Sequence, residues 1–458
     1  MAVCATRPPA PFHNSDAPDL GPCSNSAFTP SQLFATLAVL GHVVTPNTLF
    51  TDMTSSIEYL RRLPKDREIE VTTLLDCVLT DAAQAGASDI HIEPWEQTLV
   101  VRVRLDGVLS ELVHLPLEIQ ERFAARCKVI AGIESYQTGL PQEGHVEPSP
   151  ERGDVDFRVS VLPAVRGEKI VIRLFDRKAH KLDLDGLGFD DVALSAFSQL
   201  LARPSGLILL TGPTGSGKTT VMYSSLIHIT HRAGPAVSIS TVEDPVEVWL
   251  PMITQSQINT ARGFTYPIAL RALLRQDPQV MMIGEIRDLE TASIALQAGL
   301  TGHLVISTIH SGSSAGVFAR LINMDVEPFL LASSVAGVLS VRLVRRNCPE
   351  CRIPTEPEGL LRVVPAVAAL PSDVFRRGMG CNHCYQTGFS GRVLVTELLT
   401  PGEPLREAVL RKLPSRELHR IAMAEGMGSL WQTGLRHVLR GEVAIDELAR
   451  VVPPESCT

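Results

Sequence analysis

The sequence lacks both an excess of positive charge and a long apolar run. Its 42 Lys and Arg residues are outnumbered by 50 Asp and Glu residues, which gives a formal net charge of −8. Stable binding of nucleic acid requires a basic surface, so the net negative charge argues against direct nucleic-acid binding. No run reaches the roughly eighteen apolar residues of a membrane span, and the chain begins without a charged-then-apolar signal pattern. We therefore expect a cytoplasmic protein that reaches a membrane only through protein partners.

The longest apolar segment covers residues 329–344. It is interrupted by Ser333, Ser334, Ser340 and Arg342. These interruptions disfavour a membrane span, and we predict a buried helix of the protein core here.

A glycine-rich stretch between a predicted strand and a predicted helix carries the clearest motif. Residues 212–219 satisfy G-x-x-x-x-G-K-[ST], with an apolar run before them at 207–210 and a predicted helix after them at 220–229. Glycines let backbone N–H groups wrap around phosphates at a helix N-terminus, where the partial positive charge favours an anion. Lys218 would contact the β- and γ-phosphates, and the Thr219 hydroxyl would bind Mg²⁺. The predicted nucleotide-binding residues of this loop are Gly212, Pro213, Thr214, Gly215, Ser216, Gly217, Lys218, Thr219 and Thr220.

Acidic residues follow two further apolar runs. Glu285 follows the run at 280–283, and Glu243 and Asp244 end a strand predicted from residue 236. Ligands of open α/β sheets bind outside the carboxyl ends of the strands, so these side chains should share one edge. We predict Glu285 as the general base that activates water, and Glu243 and Asp244 as carboxylates that hold Mg²⁺ through its water shell. One such carboxylate is usually a solvated turn residue, but three around one phosphate loop favour catalysis.

Two histidines flank a third apolar strand, predicted over 304–307. His303 precedes this strand and His310 follows it. We predict that they sense the γ-phosphate by hydrogen bonding. A purely structural donor role is the alternative.

Four of the nine cysteines form two C-x-x-C pairs with twenty-nine residues between them. The pairs are Cys348 with Cys351 and Cys381 with Cys384. Two such pairs supply the four thiolates of a closed, structural Zn²⁺ site. Two disulfides or redox pairs are the alternative, which the lack of any sign of an oxidising compartment disfavours. The remaining cysteines are scattered and are expected to be ordinary thiols.

The order of these motifs resembles the type II secretion and type IV pilus assembly ATPases, the GspE/PilB family. The resemblance rests on T-V-E-D-P-V-E at 241–247, L-R-Q-D-P at 274–278, G-E-I-R-D at 284–288 and T-G-H-L at 301–304. It extends to A-S-D-I-H-I-E-P at 87–94 and V-R-V-R-L-D-G at 101–107, and covers roughly residues 70–450. It implies a homohexamer that binds an inner-membrane platform and drives assembly of a pilus-like fibre. The tetracysteine insert is typical of assembly ATPases rather than retraction ATPases.

The chain is long enough for two or three domains, each with its own core. We predict a Pro-rich disordered tail and a short helical segment over 1–66, where the family commonly has a larger docking domain. The resemblance implies a PAS-like α+β domain over 67–178 and, after a linker at 179–189, a RecA-like P-loop ATPase domain over 190–458. The α/β ATPase domain would include the zinc insert at 345–392.

The resemblance also implies that nucleotide lies between the ATPase domain and the domain before it. Arg158 and Arg173 are the candidates from that earlier domain for contacting phosphate, because a planar guanidinium suits phosphate oxygens. A surface ion pair is the alternative for each. Two departures from the family pattern are His145, in place of a usual arginine, and Gln279, in place of a usual acidic residue.

The predicted function is ATP hydrolysis that powers pseudopilus assembly for type II protein secretion across the outer membrane. The cofactors would be ATP, Mg²⁺ and Zn²⁺. Type IV pilus assembly shares all of these motifs and is the first alternative. A DNA-uptake or conjugation motor and a scaffold that binds nucleotide without hydrolysing it are the alternatives of other classes.

Overall fold

The computed structural model describes residues 55–64, 67–146, 155–176, 183–359 and 364–454. Of the tail and short helical segment predicted over residues 1–66, residues 1–54 lie outside the described residues, as do residues 179–182 of the predicted linker. Of the predicted N-terminal helical segment, one short helix is described, α1 at Ser55–Arg62. Asp81 ties α1 to the next helix, because its carboxylate accepts the Ser56 backbone N–H at 2.9 Å and the Ser56 hydroxyl at 2.5 Å.

The first domain is an antiparallel sheet with helices on one face. Its six strands are, in the order of the sheet, β3 (Val108–Pro116), β2 (Thr98–Leu105), β1 (Asp89–Pro94), β6 (Gly167–Asp176), β5 (Val155–Ala164) and β4 (Gln142–Val146). In β5, Val155, Phe157, Val159 and Val161 are buried, whereas the side chains between them are largely accessible, so alternation places one face of the sheet on the core. The elements are α2 (Val71–Gln84), β1 (Asp89–Pro94), β2 (Thr98–Leu105), β3 (Val108–Pro116), α3 (Gln120–Ile130), β4 (Gln142–Val146), β5 (Val155–Ala164) and β6 (Gly167–Asp176). This domain is of the α+β type; its likeness to PAS domains stays a prediction.

The second domain is built on a mainly parallel sheet whose strands are, in order, β15 (Phe389–Leu399), β12 (Val335–Asn347), β7 (Gly206–Thr211), β11 (Leu304–Thr308), β10 (Val280–Ile283), β8 (Ile239–Glu243) and β9 (Thr254–Gln257). The strands β7, β10 and β11 are buried along their whole length, which is why they appear in the sequence as continuous apolar runs. Its first elements are α4 (Asp191–Leu201), β7 (Gly206–Thr211), α5 (Lys218–Ala233), β8 (Ile239–Glu243), β9 (Thr254–Gln257), α6 (Tyr266–Leu273), β10 (Val280–Ile283), α7 (Leu289–Leu300), β11 (Leu304–Thr308) and α8 (Ser314–Ile322). The α/β class predicted for this domain is confirmed.

The prediction of one buried helix over residues 329–344 is wrong. A short helix, α9 (Pro328–Ser334), passes directly into the long strand β12 (Val335–Asn347). This strand runs parallel to β7 on one side and antiparallel to β15 on the other. Its valines are β-branched and suit a strand, whereas an apolar run alone does not separate buried strand from buried helix.

The remaining elements form the cysteine-containing insert and a group of helices at the end of the chain. The insert holds the small sheet of β13 and β14, and β15 returns beside β12. The elements are β13 (Arg352–Pro354), α10 (Pro365–Ala368), β14 (Arg376–Gly378), β15 (Phe389–Leu399), α11 (Glu403–Leu410), α12 (Ser415–Ala424), α13 (Leu430–Leu439) and α14 (Ile445–Val451). Among the helices of the described residues, none combines the length and the apolar character needed to cross a bilayer.

The two domains touch where the β2–β3 turn meets β15. The Asp106 carboxylate accepts the Gly391 backbone N–H at 3.0 Å and lies 3.7 Å from the Arg392 guanidinium. Tyr385, in the cysteine-containing insert, packs against the core of the first domain. The insert therefore lies between the ATPase sheet and the first domain.

Candidate nucleotide-binding and catalytic site

The phosphate loop leaves the carboxyl end of β7 and leads into α5. Gly215 and Gly217 have φ angles of 73° and 92°, a region that favours glycine. The helix begins at Lys218, directly after Gly217. The loop therefore has the strand–loop–helix setting that phosphate binding at a helix N-terminus requires.

Lys218 lies over its own loop. Its Nζ donates to the carbonyl oxygens of Gly212 and Pro213, both at 2.9 Å. Burial lowers the pKa of Lys218, the charge of Arg342 lowers it further, and Glu285 acts in the opposite direction. Main-chain carbonyls are weaker partners for an ammonium than phosphate oxygens are, so the lysine can exchange them for a nucleotide.

Glu285 follows β10 at the edge of the sheet where the phosphate loop lies. The backbone fixes this position, because Gly284 donates to the Val242 carbonyl at 2.8 Å and Ile286 to the Thr308 carbonyl at 2.9 Å. The Glu285 side chain is 17% exposed and forms an ion pair with Arg287. Its other oxygen lies 3.7 Å from Nε2 of His310, on the loop after β11. The structure thus brings together three predicted site residues, Lys218, Glu285 and His310.

His303 is not part of this group. It precedes β11, and its Nδ1 lies 3.1 Å from the Ala298 carbonyl at the end of α7. Its own carbonyl accepts the N–H of Gly206, the first residue of β7. A five-residue strand spans about 16 Å, so His303 lies at the opposite edge of the sheet from the phosphate loop. His303 therefore does not lie beside the phosphate loop of its own chain, and its partners are those of the structural alternative.

The surroundings of Glu243 do not favour a magnesium ligand. This carboxylate is buried, and it accepts the Thr241 hydroxyl at 2.5 Å, the Gln255 amide at 3.0 Å and the Tyr223 hydroxyl. These bonds tie α5 and β9 to the end of β8. Asp244, the next residue, is exposed, which leaves it available to the water shell of a metal ion.

Tyr266 lies at the same edge of the sheet as Glu285, although the sequence patterns did not predict it as a site residue. It begins α6, and a Cβ added to Gly284 would lie 2.7 Å from its hydroxyl oxygen, so the two residues are in close contact. Burial and the charges of Glu285 and Asp244 raise the pKa of Tyr266. Its hydroxyl is therefore neutral, and the charges of two carboxylates of the site act on it. No local sequence pattern indicates that a tyrosine at the start of a helix lies in such a site.

The two predicted arginines of the first domain occupy neighbouring positions on its sheet. Arg158 on β5 pairs with Arg173 on β6, and His145 on β4 pairs with Arg158. Arg173 is 64% exposed and its Nε donates to Asp89 at 3.0 Å. His145 thus belongs to a row of basic side chains on the exposed face, and the role of this row in binding phosphate stays a prediction.

The second departure from the family pattern, Gln279, lies away from the catalytic edge. Its side-chain oxygen accepts the Ser238 backbone N–H at 2.6 Å, just before β10 begins. A carboxylate would accept the same bond, so this residue supports the sheet rather than the reaction.

The four predicted cysteine ligands converge. All four sulfur atoms lie within 4.8 Å of one another. The Cys348–Cys381, Cys351–Cys384 and Cys381–Cys384 sulfur pairs are separated by 3.8, 3.9 and 3.7 Å. Four sulfurs at 2.3 Å from a tetrahedral zinc ion would be about 3.8 Å apart, whereas a disulfide requires about 2.05 Å. The cluster fits a tetrahedral metal and not two disulfides.

The fold and this edge of the sheet define a P-loop ATPase of the α/β class. Residues 65–450 match the family described as Type II/IV secretion system protein. The chain belongs to that family.

Relatives from two kinds of system resemble the chain over most of its length. Type II secretion system protein HxcR of Pseudomonas aeruginosa is 42% identical over 381 residues, which cover 83% of this chain and 77% of HxcR. The type IV pilus assembly ATPase PilB of Myxococcus xanthus is 38% identical over 423 residues, which cover 91% of this chain and 74% of PilB. The solved structure of the ATPase DotB of Legionella pneumophila matches with a TM-score of 0.63 and 20% identity, over 85% of this chain and 97% of DotB. This last likeness concerns the fold. The chain is an ATP hydrolase of its family.

Proposed function

We propose that this protein hydrolyses ATP to power assembly of a pseudopilus in type II protein secretion. The observation that carries the proposal is the convergence of Lys218, Glu285 and His310 at one sheet edge, in a chain of the type II/IV secretion family. The 42% identity to a type II secretion protein supports the choice of system.

The reaction is an in-line attack of water on the γ-phosphate, in which a new P–O bond forms while the bond to the bridging oxygen of the β-phosphate breaks, so that ADP leaves. Glu285 accepts a proton from the attacking water, and its ion pair with Arg287 and its approach to His310 hold the carboxylate in place. Lys218 leaves the Gly212 and Pro213 carbonyls to neutralise charge on the phosphate oxygens. Thr219 and, through water, Asp244 would hold Mg²⁺, which supplies further charge neutralisation.

The four cysteines would hold one structural Zn²⁺. Their sulfur separations fit a closed tetrahedral site, with no position left for substrate. Such a metal would stabilise the insert that lies between the two domains.

We infer that the working form is a homohexamer on the cytoplasmic side of the inner membrane, bound peripherally through platform proteins. The exposed Arg158 and Arg173 would then serve a nucleotide at the junction of domains. The net negative charge of the chain supports a protein partner rather than a nucleic-acid partner.

Pilus assembly is the second candidate, favoured by the match to PilB over 91% of this chain. Deletion of the gene, scored in parallel for secreted enzymes and surface pili, separates the two. Loss of secretion with intact pili supports type II secretion, and loss of pili with intact secretion moves the protein to pilus assembly. Complementation by the wild-type gene, but not by Glu285→Gln, would show that hydrolysis is required. If neither phenotype appears, DNA-stimulated and salt-sensitive ATPase activity tests the nucleic-acid alternative.

A further inference from the structure

Arg342 lies beside the phosphate loop. It follows the paired stretch of β12 in which Ser340 is opposite Thr211, the last residue of β7. A Cβ added to Gly212 would lie 2.6 Å from the Val341 carbonyl and 3.2 Å from Nη1 of Arg342. The start of the phosphate loop therefore rests directly on this part of β12, and only glycine permits that approach.

The guanidinium of Arg342 is held by main-chain carbonyls. Nη1 donates to the Val341 carbonyl and Nη2 to the Gly312 carbonyl, both at 2.9 Å. Within the described part of the chain, Arg342 has no ion-pair partner; Glu397 interacts only at longer range and accepts the Ser314 backbone N–H. Burying an arginine without a carboxylate costs free energy unless its N–H groups are hydrogen-bonded, so these two bonds, together with a longer one from Nη1 to the Ser340 hydroxyl at 3.4 Å, define its position.

Gly312 belongs to the loop that carries His310. The next point of attachment on that loop is Ser311, which donates to the Thr211 hydroxyl at 2.9 Å and accepts from it at 3.0 Å. The loop is thus fastened to β7 through Thr211 and to β12 through Arg342. His310, two residues before Gly312, contacts Glu285.

The Ser216 hydroxyl indicates that a ligand binds where the phosphate loop meets Arg342. Its hydroxyl is buried and has no hydrogen-bond partner among the described residues. It would lie 2.7 Å from the same added Cβ at Gly212 that approaches Arg342. Burying a hydroxyl without a hydrogen-bond partner costs free energy, and a ligand bound in the phosphate loop would supply that partner.

We propose that Arg342 is a positioning residue that couples the phosphate loop to the His310 loop. Its fork of two N–H groups holds the Gly312 carbonyl against β12, so that His310 stays in reach of Glu285 and of the terminal phosphate. This proposal rests on the proposed ATPase function and assigns Arg342 no contact with substrate. Because two carbonyls are bound in fixed directions, geometry as well as charge is required, and lysine should not replace arginine.

The test compares Arg342→Gln, Arg342→Lys and His310→Ala with a matched control, Arg346→Gln. Arg346 is an exposed arginine on the same strand. We expect Arg342→Gln and Arg342→Lys each to lower kcat by about ten- to a hundredfold, the range expected for hydrogen bonds of a charged group. Affinity for ADP, measured by equilibrium binding, should change less than about twofold, and Arg346→Gln should resemble wild type.

A double-mutant cycle with His310→Ala gives the decisive readout. If Arg342 acts through the His310 loop, the double variant should be no slower than the slower single variant. Fully additive losses, rescue by Arg342→Lys, or an equal loss of ADP and ATP affinity would each overturn the proposal. Wild-type protein that fails to hydrolyse ATP at any protein concentration would instead sink the proposed function.

Discussion

Glu285 is the residue on which the proposed chemistry depends most. Its carboxylate is largely buried, paired with Arg287, and close to His310 and Tyr266. The ion pair with Arg287 and the approach of His310 hold the carboxylate at the edge of the sheet where the phosphate loop lies.

Replacing Glu285 with glutamine keeps the shape and removes the base. We expect turnover to fall by about 10²- to 10⁴-fold with tight ATP binding retained, because glutamine does not accept the proton of water. Lys218→Ala should abolish turnover and weaken ATP binding as well, since it removes a phosphate contact. The measurements are steady-state phosphate release and equilibrium nucleotide binding.

Glu290→Gln is the matched control for this pair. Glu290 is an exposed carboxylate on the following helix, where it pairs with Arg271 at 2.6 Å. Its substitution should leave both measurements unchanged. Normal hydrolysis by Glu285→Gln would show that another group activates water.

At the scale of elements, the cysteine insert is the part whose stability should depend on a metal. We expect one zinc ion for each wild-type chain and loss of that ion in Cys348→Ser, because three sulfurs no longer close a tetrahedral site. The melting temperature should fall by about 2–4 °C for each kcal/mol of stability lost. Metal analysis of the purified protein and a thermal melt check both expectations.

Cys77→Ser provides the comparison, since Cys77 lies on α2, outside the cluster. It should keep the zinc content of wild type. Full stability of Cys348→Ser without bound metal would contradict the structural role of zinc.

The elements also show which inferences sequence patterns support. The phosphate loop could be predicted from local sequence, because the buried strand, the glycines and the start of the helix each have a recognisable sequence pattern. Patterns of this kind did not predict β12, since an apolar run fits a buried helix equally well until its partners β7 and β15 are known. They also placed His303 and His310 together, although opposite ends of one strand lie on opposite edges of the sheet. The contacts of Glu243 and Tyr266 depend on tertiary packing between distant segments, which no local pattern encodes.

At the scale of the whole molecule, the catalytic edge and the basic row belong to different domains. The domains are joined through Asp106 and the cysteine insert. Arg158 and Arg173 lie on an exposed sheet face, whereas Glu285 and Lys218 are at least half-buried in the ATPase domain. If the row contacts nucleotide, closure of the domains or a neighbouring subunit must bring it there.

The proposed ring assembly predicts a specific activity that rises with protein concentration, because a separated chain would lack groups that complete its site. The measurement is the ATPase rate for each chain over a wide range of protein concentrations, together with the oligomeric state by light scattering. Arg158→Gln should remove most of the rise without preventing assembly, if this arginine acts on phosphate across the domain junction. Arg122→Gln, a substitution of an exposed arginine on α3 that pairs with Glu68, should keep the wild-type dependence. A rate for each chain that stays constant while the oligomeric state changes would show that one subunit contains the complete catalytic site.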